Sequence, residues 1–203
     1  MGVMKGIIVL VLLTGSCEFR LVAGEPAFCR QLECPKFTTD YRTKDYEKRT
    51  YALSMWVSTT IAGVDYMAAS EQGFDKLFKY ISGNNSEKRK IAMTAPMIIR
   101  VMPGQGPDPI ENFTVSFMVP FELQPNPPLP SDSSVFVSTM PPHQAYVRSY
   151  GGFSNEKKSL AEAEALAKAL NASQHYDEGF YYTAGYSSPF VVTNRHNEIW
   201  FFT

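Results

Sequence analysis

Two stretches with helical periodicity, each bracketed by extended runs rich in β-forming residues, constrain this chain more than anything else in it. Phe74, Leu77, Phe78 and Ile81 recur at i, i+3, i+4 and i+7, one apolar stripe. Asp65 stands where an N-cap belongs, and Gly83 followed by Asn84 and Asn85 supplies the stop. The second stretch spans 156–172. Its Ala-rich composition favours helix, Ser154 can cap it, and Leu160, Ala163, Leu166, Ala167 and Leu170 give a buried stripe. Residues 46–53 and 56–61 precede the first helix as strands, and 91–102 and 113–119 follow it. Residues 135–137 and 145–150 precede the second; 180–186, 190–192 and 198–202 follow it. Strand, strand, helix, strand, strand therefore occurs twice, without residue-by-residue identity between the halves. Two such units either face one another as separate sheets or join into one curved sheet, with the helices outside. The apolar run Ile199 to Phe202 predicts a paired strand rather than a tail.

The string Lys88-Arg89-Lys90-Ile91-Ala92-Met93-Thr94-Ala95-Pro96-Met97 sets cations before an apolar run broken by Pro96. Proline cannot donate to a ladder and pushes Ala95 towards an extended conformation. The run thus predicts a strand that enters the core and meets a bend or an edge at Pro96. Pro103-Gly104-Gln105-Gly106-Pro107 predicts a turn, and the prolines of 120–130 a linker or edge crossing in extended form.

Residues 1–24 read as a secretory signal peptide: a cation at Lys5, the apolar run Ile7 to Leu13, then small and polar residues, with cleavage after Cys17 or after Gly24. The run is too short for a stable transmembrane helix. Either cleavage leaves Cys29 and Cys34, five apart in a polar segment, which predicts a disulfide stapling an N-terminal arm over 25–44. Sequons at Asn84, Asn112 and Asn171 predict glycosylation on export. The expected location is extracellular. The remaining 45–203 form one domain, long enough for a substantial core. A net charge of −1 predicts no broad attraction to nucleic acid or anionic lipid.

Catalytic motifs are missing: there is no Gly-x-Ser-x-Gly elbow, no Gly-rich phosphate loop, no Cys-x-x-Cys-His attachment string and no histidine pair at i, i+4. An enzyme is not expected. Of His143, His175 and His196, His175 after the second helix is the candidate metal ligand, since neutral imidazole is a common iron donor. A histidine in a polar loop is equally an ordinary solvated residue. Met93, Met97 and Met102 offer thioether sulfur or plain packing. Aromatic residues make up 13% of the chain, which suits a sheet core as well as a ring-lined pocket.

Seven blocks, in one order, carry a resemblance. They are Tyr46-Glu47-x-Arg49, Trp56-Val57-Ser58-Thr59, Phe74-Asp75-Lys76-Leu77-Phe78-Lys79-Tyr80-Ile81 and Met93-Thr94-Ala95-Pro96. Then come Val147-Arg148-Ser149-Tyr150-Gly151-Gly152-Phe153, Tyr181-Tyr182-Thr183-Ala184-Gly185-Tyr186 and Asn194-Arg195-x-Asn197-Glu198-Ile199-Trp200. Together they resemble the SOUL heme-binding family, nearest its heme-binding protein 2 branch, over 46–202. The resemblance implies an α+β fold: a distorted antiparallel β-barrel of two pseudo-symmetric β-β-α-β-β halves, with two main helices packed outside. It implies noncovalent binding of heme and other porphyrins in a cleft formed by Phe74, Leu77, Phe78 and Ile81, with Lys79 as a propionate partner, and by Tyr186, Ser187, Ser188 and Pro189. A flat macrocycle needs apolar walls and a cationic rim. The same stripe is also what a core helix presents. Where some relatives carry a histidine after the Tyr-Glu-x-Arg block, this chain has Thr50, leaving His175 or the cleft alone to hold iron. With the signal peptide, the expected role is a secreted heme carrier or scavenger. Two alternatives follow from relatives and similar folds. One is an interaction protein acting on membrane permeability or cell death through 166–177. The other is a hydrolase using Glu71 or Asp75.

Overall fold

The computed structural model of the chain describes residues 26–102, 112–171, 174–188 and 190–203. The expected signal peptide, the turn at 103–107 and Pro189 lie outside the described residues. Nine strands and two helices follow one another: β1 (Phe37–Arg42), β2 (Glu47–Tyr51), β3 (Ser54–Ala62), α1 (Tyr66–Ile81), β4 (Met97–Val101), β5 (Asn112–Met118), β6 (Val135–Met140), β7 (His143–Gly151), α2 (Glu156–Ala169), β8 (Tyr181–Gly185) and β9 (His196–Phe202). All nine strands join a single antiparallel sheet in the order β1-β2-β7-β9-β8-β4-β5-β3-β6. The sheet curls strongly into a half-barrel, the expected α+β architecture. Of the two arrangements left open, one curved sheet is the one observed.

The expected doubling is built into the strand order. Take β2, β3, α1, β4, β5 as one half and β6, β7, α2, β8, β9 as the other. Exchanging the halves and reading the sheet from its other end returns the same order, β2-β7-β9-β8-β4-β5-β3-β6. The pseudo-axis passes between β4 and β8. β1, from the N-terminal arm, is added beside β2 and has no counterpart.

Alternate residues of each strand face opposite sides of the sheet, and both sides are filled. Helix α1 packs on β3 and β5, and α2 on β7 and β9, the equivalent strands of the two halves. Leu77 of α1 and Leu166 of α2 meet Val57, Val115, Phe117, Tyr146, Ile199 and Phe201 in one buried cluster. Each such side chain contributes about 1.5–3 kcal/mol by leaving water. The opposite side carries Tyr51, Trp56, Ile98, Met118, Val147, Tyr186 and Trp200, together with the arm's Cys29 and Cys34, which form the expected disulfide. Asp65 caps α1 as expected, its carboxylate accepting the Ala68 N–H at 2.8 Å. Position 73 must be glycine for α1 to lie this close to the sheet: a Cβ there would fall 2.4 Å from Val115 Cγ2.

Local expectations fail in five places. The Pro-rich segment 120–130 is not extended throughout, since Phe121–Leu123 form a 3₁₀ turn with the Leu123 N–H donating to Pro120 O. Residues 91–95 are not strand; β4 begins only after Pro96, behind a cis Ala95–Pro96 bond. The preceding residues find three different partners rather than a ladder: Ile91 N–H donates to Ile81 O, the Thr94 hydroxyl to Met118 O, and Ala95 N–H to Glu33 O. Residues 190–192 are not strand either. Phe190 is 93% exposed, and the Arg195 guanidinium gathers the carbonyls of Ser187, Ser188 and Val191 instead. Asn155, not Ser154, caps α2, because Ser154 Oγ is engaged with Tyr150 OH and Ser159 Oγ. Helix α2 stops at Ala169 and turns Ser159 inward, leaving Leu160 49% exposed.

Candidate functional site

The residues expected to form one cleft lie on two sides of the sheet. Helix α1 faces the sheet with Gly73, Leu77, Tyr80 and Ile81, all buried. That spacing sets its inward stripe one position away from Phe74 and Phe78. Phe74 is half-buried, packed edge-on against Phe117, and stacks on Phe78 with ring centroids 5.6 Å apart. Phe78 is 50% exposed, and Lys79 beside it is exposed in the last turn. Leu77 and Ile81 thus belong to the core, while Phe74, Phe78 and Lys79 form a small ringed surface. Tyr186 is buried on the opposite side of the sheet. Ser187 and Ser188 belong to the loop that Arg195 holds, where Ser187 Oγ accepts the His196 N–H. Pro189 is outside the described residues.

On the side away from the helices lies a charged centre that sequence reasoning passed over. Glu198 points inward from β9 and is fully buried. Its Oε1 meets Arg49 Nη2 at 3.0 Å and His196 Nε2 at 2.8 Å; its Oε2 accepts from Tyr186 OH at 2.8 Å and Trp200 Nε1 at 2.7 Å. Arg49 also donates to Glu47 at 2.8 Å and to Tyr51 OH at 3.1 Å. Burial alone would raise the Glu198 carboxyl. The His196 hydrogen bond and the Arg49 charge overcome it and hold the group at about 2. Burial, reinforced by the Glu198 charge, pushes the Tyr51 and Tyr186 hydroxyls up, so both stay protonated. The arm closes over this centre. Phe28 stacks on His196 at 4.1 Å and meets Tyr186 edge-on, and Phe37 lies 4.2 Å from the Arg49 guanidinium. The sequence signal was present in the Tyr46-Glu47-x-Arg49 and Asn197-Glu198-Ile199-Trp200 blocks, since a charge alternating with apolar residues in a strand points into one face.

The same side carries a row of rings near the C-terminal end of β9, buried at Tyr51 and half-buried beyond it. Tyr51 stacks on His143 at 5.1 Å, His143 on Phe202 at 4.1 Å, and Phe202 lies 5.0 Å from Tyr182. Phe180 meets Tyr182 edge-on at 5.6 Å, and the Arg100 guanidinium sits 4.2 Å above the Phe180 ring. His143 Nδ1 is 2.8 Å from Pro141 O. Burial lowers the His143 pKa.

His175, the expected metal ligand, is exposed. It borders a cavity of about 240 Å³ with Ala167, Leu170, Gln174, Tyr176 and Glu178. That is below the roughly 300–1,000 Å³ of pockets that enclose a drug-sized ligand. Among the described residues no three His, Cys, Asp or Glu side chains converge as a metal site, and no helix is long and apolar enough to cross a membrane. The sequon residues Asn84, Asn112 and Asn171 are all exposed.

Comparison with known proteins bears on what these surfaces serve. The family model described as SOUL heme-binding protein matches residues 32–202. Heme-binding protein 2 from Homo sapiens is 42% identical over 183 residues, covering 88% of this chain and 89% of that protein. Heme-binding protein 1 from Xenopus laevis is 29% identical over 156 residues, covering 77% of this chain and 82% of that protein. Among solved structures, the EcmrR C-terminal domain superposes with a TM-score of 0.56 at 11% identity, covering 77% of this chain and 96% of that one, a likeness of fold alone.

Proposed function

The chain belongs to the SOUL heme-binding protein family, and we propose that it binds heme, and other porphyrins, noncovalently as a secreted carrier or scavenger. The observation that carries the reading is the match along 32–202 together with 42% identity to a heme-binding protein 2 over most of both chains. The family is named for binding rather than for a reaction, which agrees with a chain that lacks catalytic motifs. Heme supplies iron, a flat π-surface and two anionic propionates, so its seat needs rings, a cation and, for tight holding, a donor atom. The Phe74–Phe78 stack with Lys79 offers the first two. Thr50 provides no imidazole; its hydroxyl donates to Asp40. Export is supported by Lys5 and the apolar run that follows it, and by the Cys29–Cys34 disulfide, a bond that persists in oxidising compartments.

Titration of hemin into the chain purified from a secreting host tests the reading. The expected result is a saturable Soret shift at one equivalent. A shift that never saturates, or that matches a control protein without this fold, refutes binding. Appearance of the chain only inside the cells that make it refutes export.

A further inference from the structure

We propose that the end of the sheet where β7 finishes and β9 begins docks on a membrane surface bearing anionic phospholipid. Phe190, Val192 and Phe153 enter the apolar boundary, and Arg30 and Lys158 meet the lipid phosphates. Phe190 is 93% exposed, Val192 71% and Phe153 59%, an unusual amount of bare apolar surface for one corner of a fold. Arg195 brings the three together. Its guanidinium lies 4.4 Å above the Phe153 ring and donates to the carbonyls of Ser187, Ser188 and Val191, the residues around Phe190 and Val192. The Phe190 N–H donates to Ser188 Oγ and the Val191 N–H to Ser188 O. The backbone at this tip is therefore bound in place while its apolar side chains are left in water. A contact surface ordered beforehand loses less entropy on docking.

The surroundings are cationic. Arg30, from the N-terminal arm, donates to Asn194 O at 2.6 Å, and Lys158 Nζ to Gly151 O at 2.5 Å. Gly151 pairs with His196, one residue from Arg195, so all three cations share this end of the sheet. Among the described residues, none of the three is ion-paired with a carboxylate, whereas Arg42, Arg49, Arg89 and Arg148 all are. Burial and the Arg30 charge both lower the Arg195 pKa, as expected where cations gather without a counter-charge. A chain with net charge −1 thus keeps a local positive excess beside its most exposed rings. Apolar side chains at a tip, ringed by Lys and Arg, match the layering of a membrane interface, where acyl chains lie just beneath anionic phosphates. A protein partner fits less well. It needs about 800 Å² from each side, and two phenylalanines and a valine supply about half of that. The proposal is independent of heme binding, and hemin titration does not bear on it.

The test is co-sedimentation of the chain, purified from a secreting host with its disulfide intact, with vesicles of phosphatidylcholine alone or mixed with phosphatidylserine. Wild type is expected to bind the mixed vesicles about tenfold more tightly, and to release them in high salt. Phe190→Ser combined with Val192→Ser should weaken binding about tenfold or more. Arg30→Ala and Lys158→Ala should each weaken it about fivefold, on the anionic vesicles only. Leu53→Ser should leave it unchanged: Leu53 is as exposed as these rings but follows Tyr51, which pairs with His143 at the other end of β7. Phe190→Trp supplies a direct readout, because the native Trp56 and Trp200 are buried. The fluorescence of the introduced indole should shift to the blue on binding and be quenched by brominated acyl chains. Thermal unfolding confirms that each variant is folded. No sedimentation of wild type, equal binding to both vesicle compositions, binding retained in the double serine variant, or an indole that brominated lipid does not quench each overturns the proposal. Self-association of wild type that the double serine variant abolishes, without vesicle binding, overturns it in favour of a contact between copies.

Discussion

Replacing Glu198 by glutamine would test the charged centre beneath the arm most severely. Glutamine keeps the volume and removes the charge. Five donors converge on the carboxylate: Arg49, His196 and, at 3.4 Å, the Ser149 hydroxyl on one oxygen, and Tyr186 and Trp200 on the other. An amide nitrogen cannot accept, so whichever way the glutamine turns, at least two of these donors lose their acceptor. Arg49 keeps only Glu47 as an anionic partner. Removing one member of a buried pair costs about 3–5 kcal/mol. The pH dependence gives a second estimate. A carboxyl held at about 2 in the folded chain, against an ordinary value of 4.5, favours folding by about 3 kcal/mol at neutral pH. Because the folded value is the lower one, this stability is present above 4.5 and is lost as pH falls through about 2. Urea unfolding followed by tryptophan fluorescence should therefore place Glu198→Gln about 3–5 kcal/mol below wild type at neutral pH. The charge-dependent part of that gap should shrink to about 1 kcal/mol near pH 2.5. A gap under about 1 kcal/mol at neutral pH, or one that does not change on acidification, would refute the reasoning.

Three further perturbations probe separate parts of the fold. Gly73→Ala should lower stability by about 1–3 kcal/mol despite alanine's better helix propensity, because its Cβ would strike the stiff Val115 side chain; a Val115→Ala background should make the same change nearly neutral in a double-mutant cycle. Asp65→Ala should cost about 1 kcal/mol by thermal melting, and Asp65→Asn much less, since either oxygen-bearing side chain can accept the Ala68 N–H. Replacing Cys29 and Cys34 together by serine should cost about 2 kcal/mol and raise amide exchange in the arm around Phe28, while leaving β8 and β4 protected.

What could be read in advance follows from which features are local. The α1 cap, the alternation of residues 113–119 and the apolar run 199–202 are written in neighbouring residues, and α1, β5 and β9 stand where expected. The start of β4 was not, because the chain before Pro96 is held by Ile81 at the end of α1 and by Met118 and Glu33, partners that no local pattern reveals. The α2 cap was ambiguous between Ser154 and Asn155, and only Tyr150 across the turn decides it by engaging the serine. The apolar Phe190-Val191-Val192 run looked like a strand, yet no neighbouring strand offers it a ladder. In the candidate site, periodicity set Leu77 and Phe78 on one stripe. The tight seat of Gly73 on Val115 rotates α1 so that one is core and the other surface. His143 was visible only as a loop histidine after two prolines. Its packing between Tyr51 and Phe202 depends on the pairing of β2, β7 and β9.

The ninth strand in chain order has a place at the middle of the sheet. β9 lies between β7 and β8, and it brings Glu198 to Arg49 and Trp200 to the core. Until β9 leaves the ribosome, β7 and β8 each have an unpaired edge and Arg49 lacks the Glu198 counter-charge. The nascent chain can assemble β3, β4 and β5 under α1 beforehand, but the second half must wait. Loss of β9 would leave two sticky edges at the middle of the sheet, and the product to expect is aggregate.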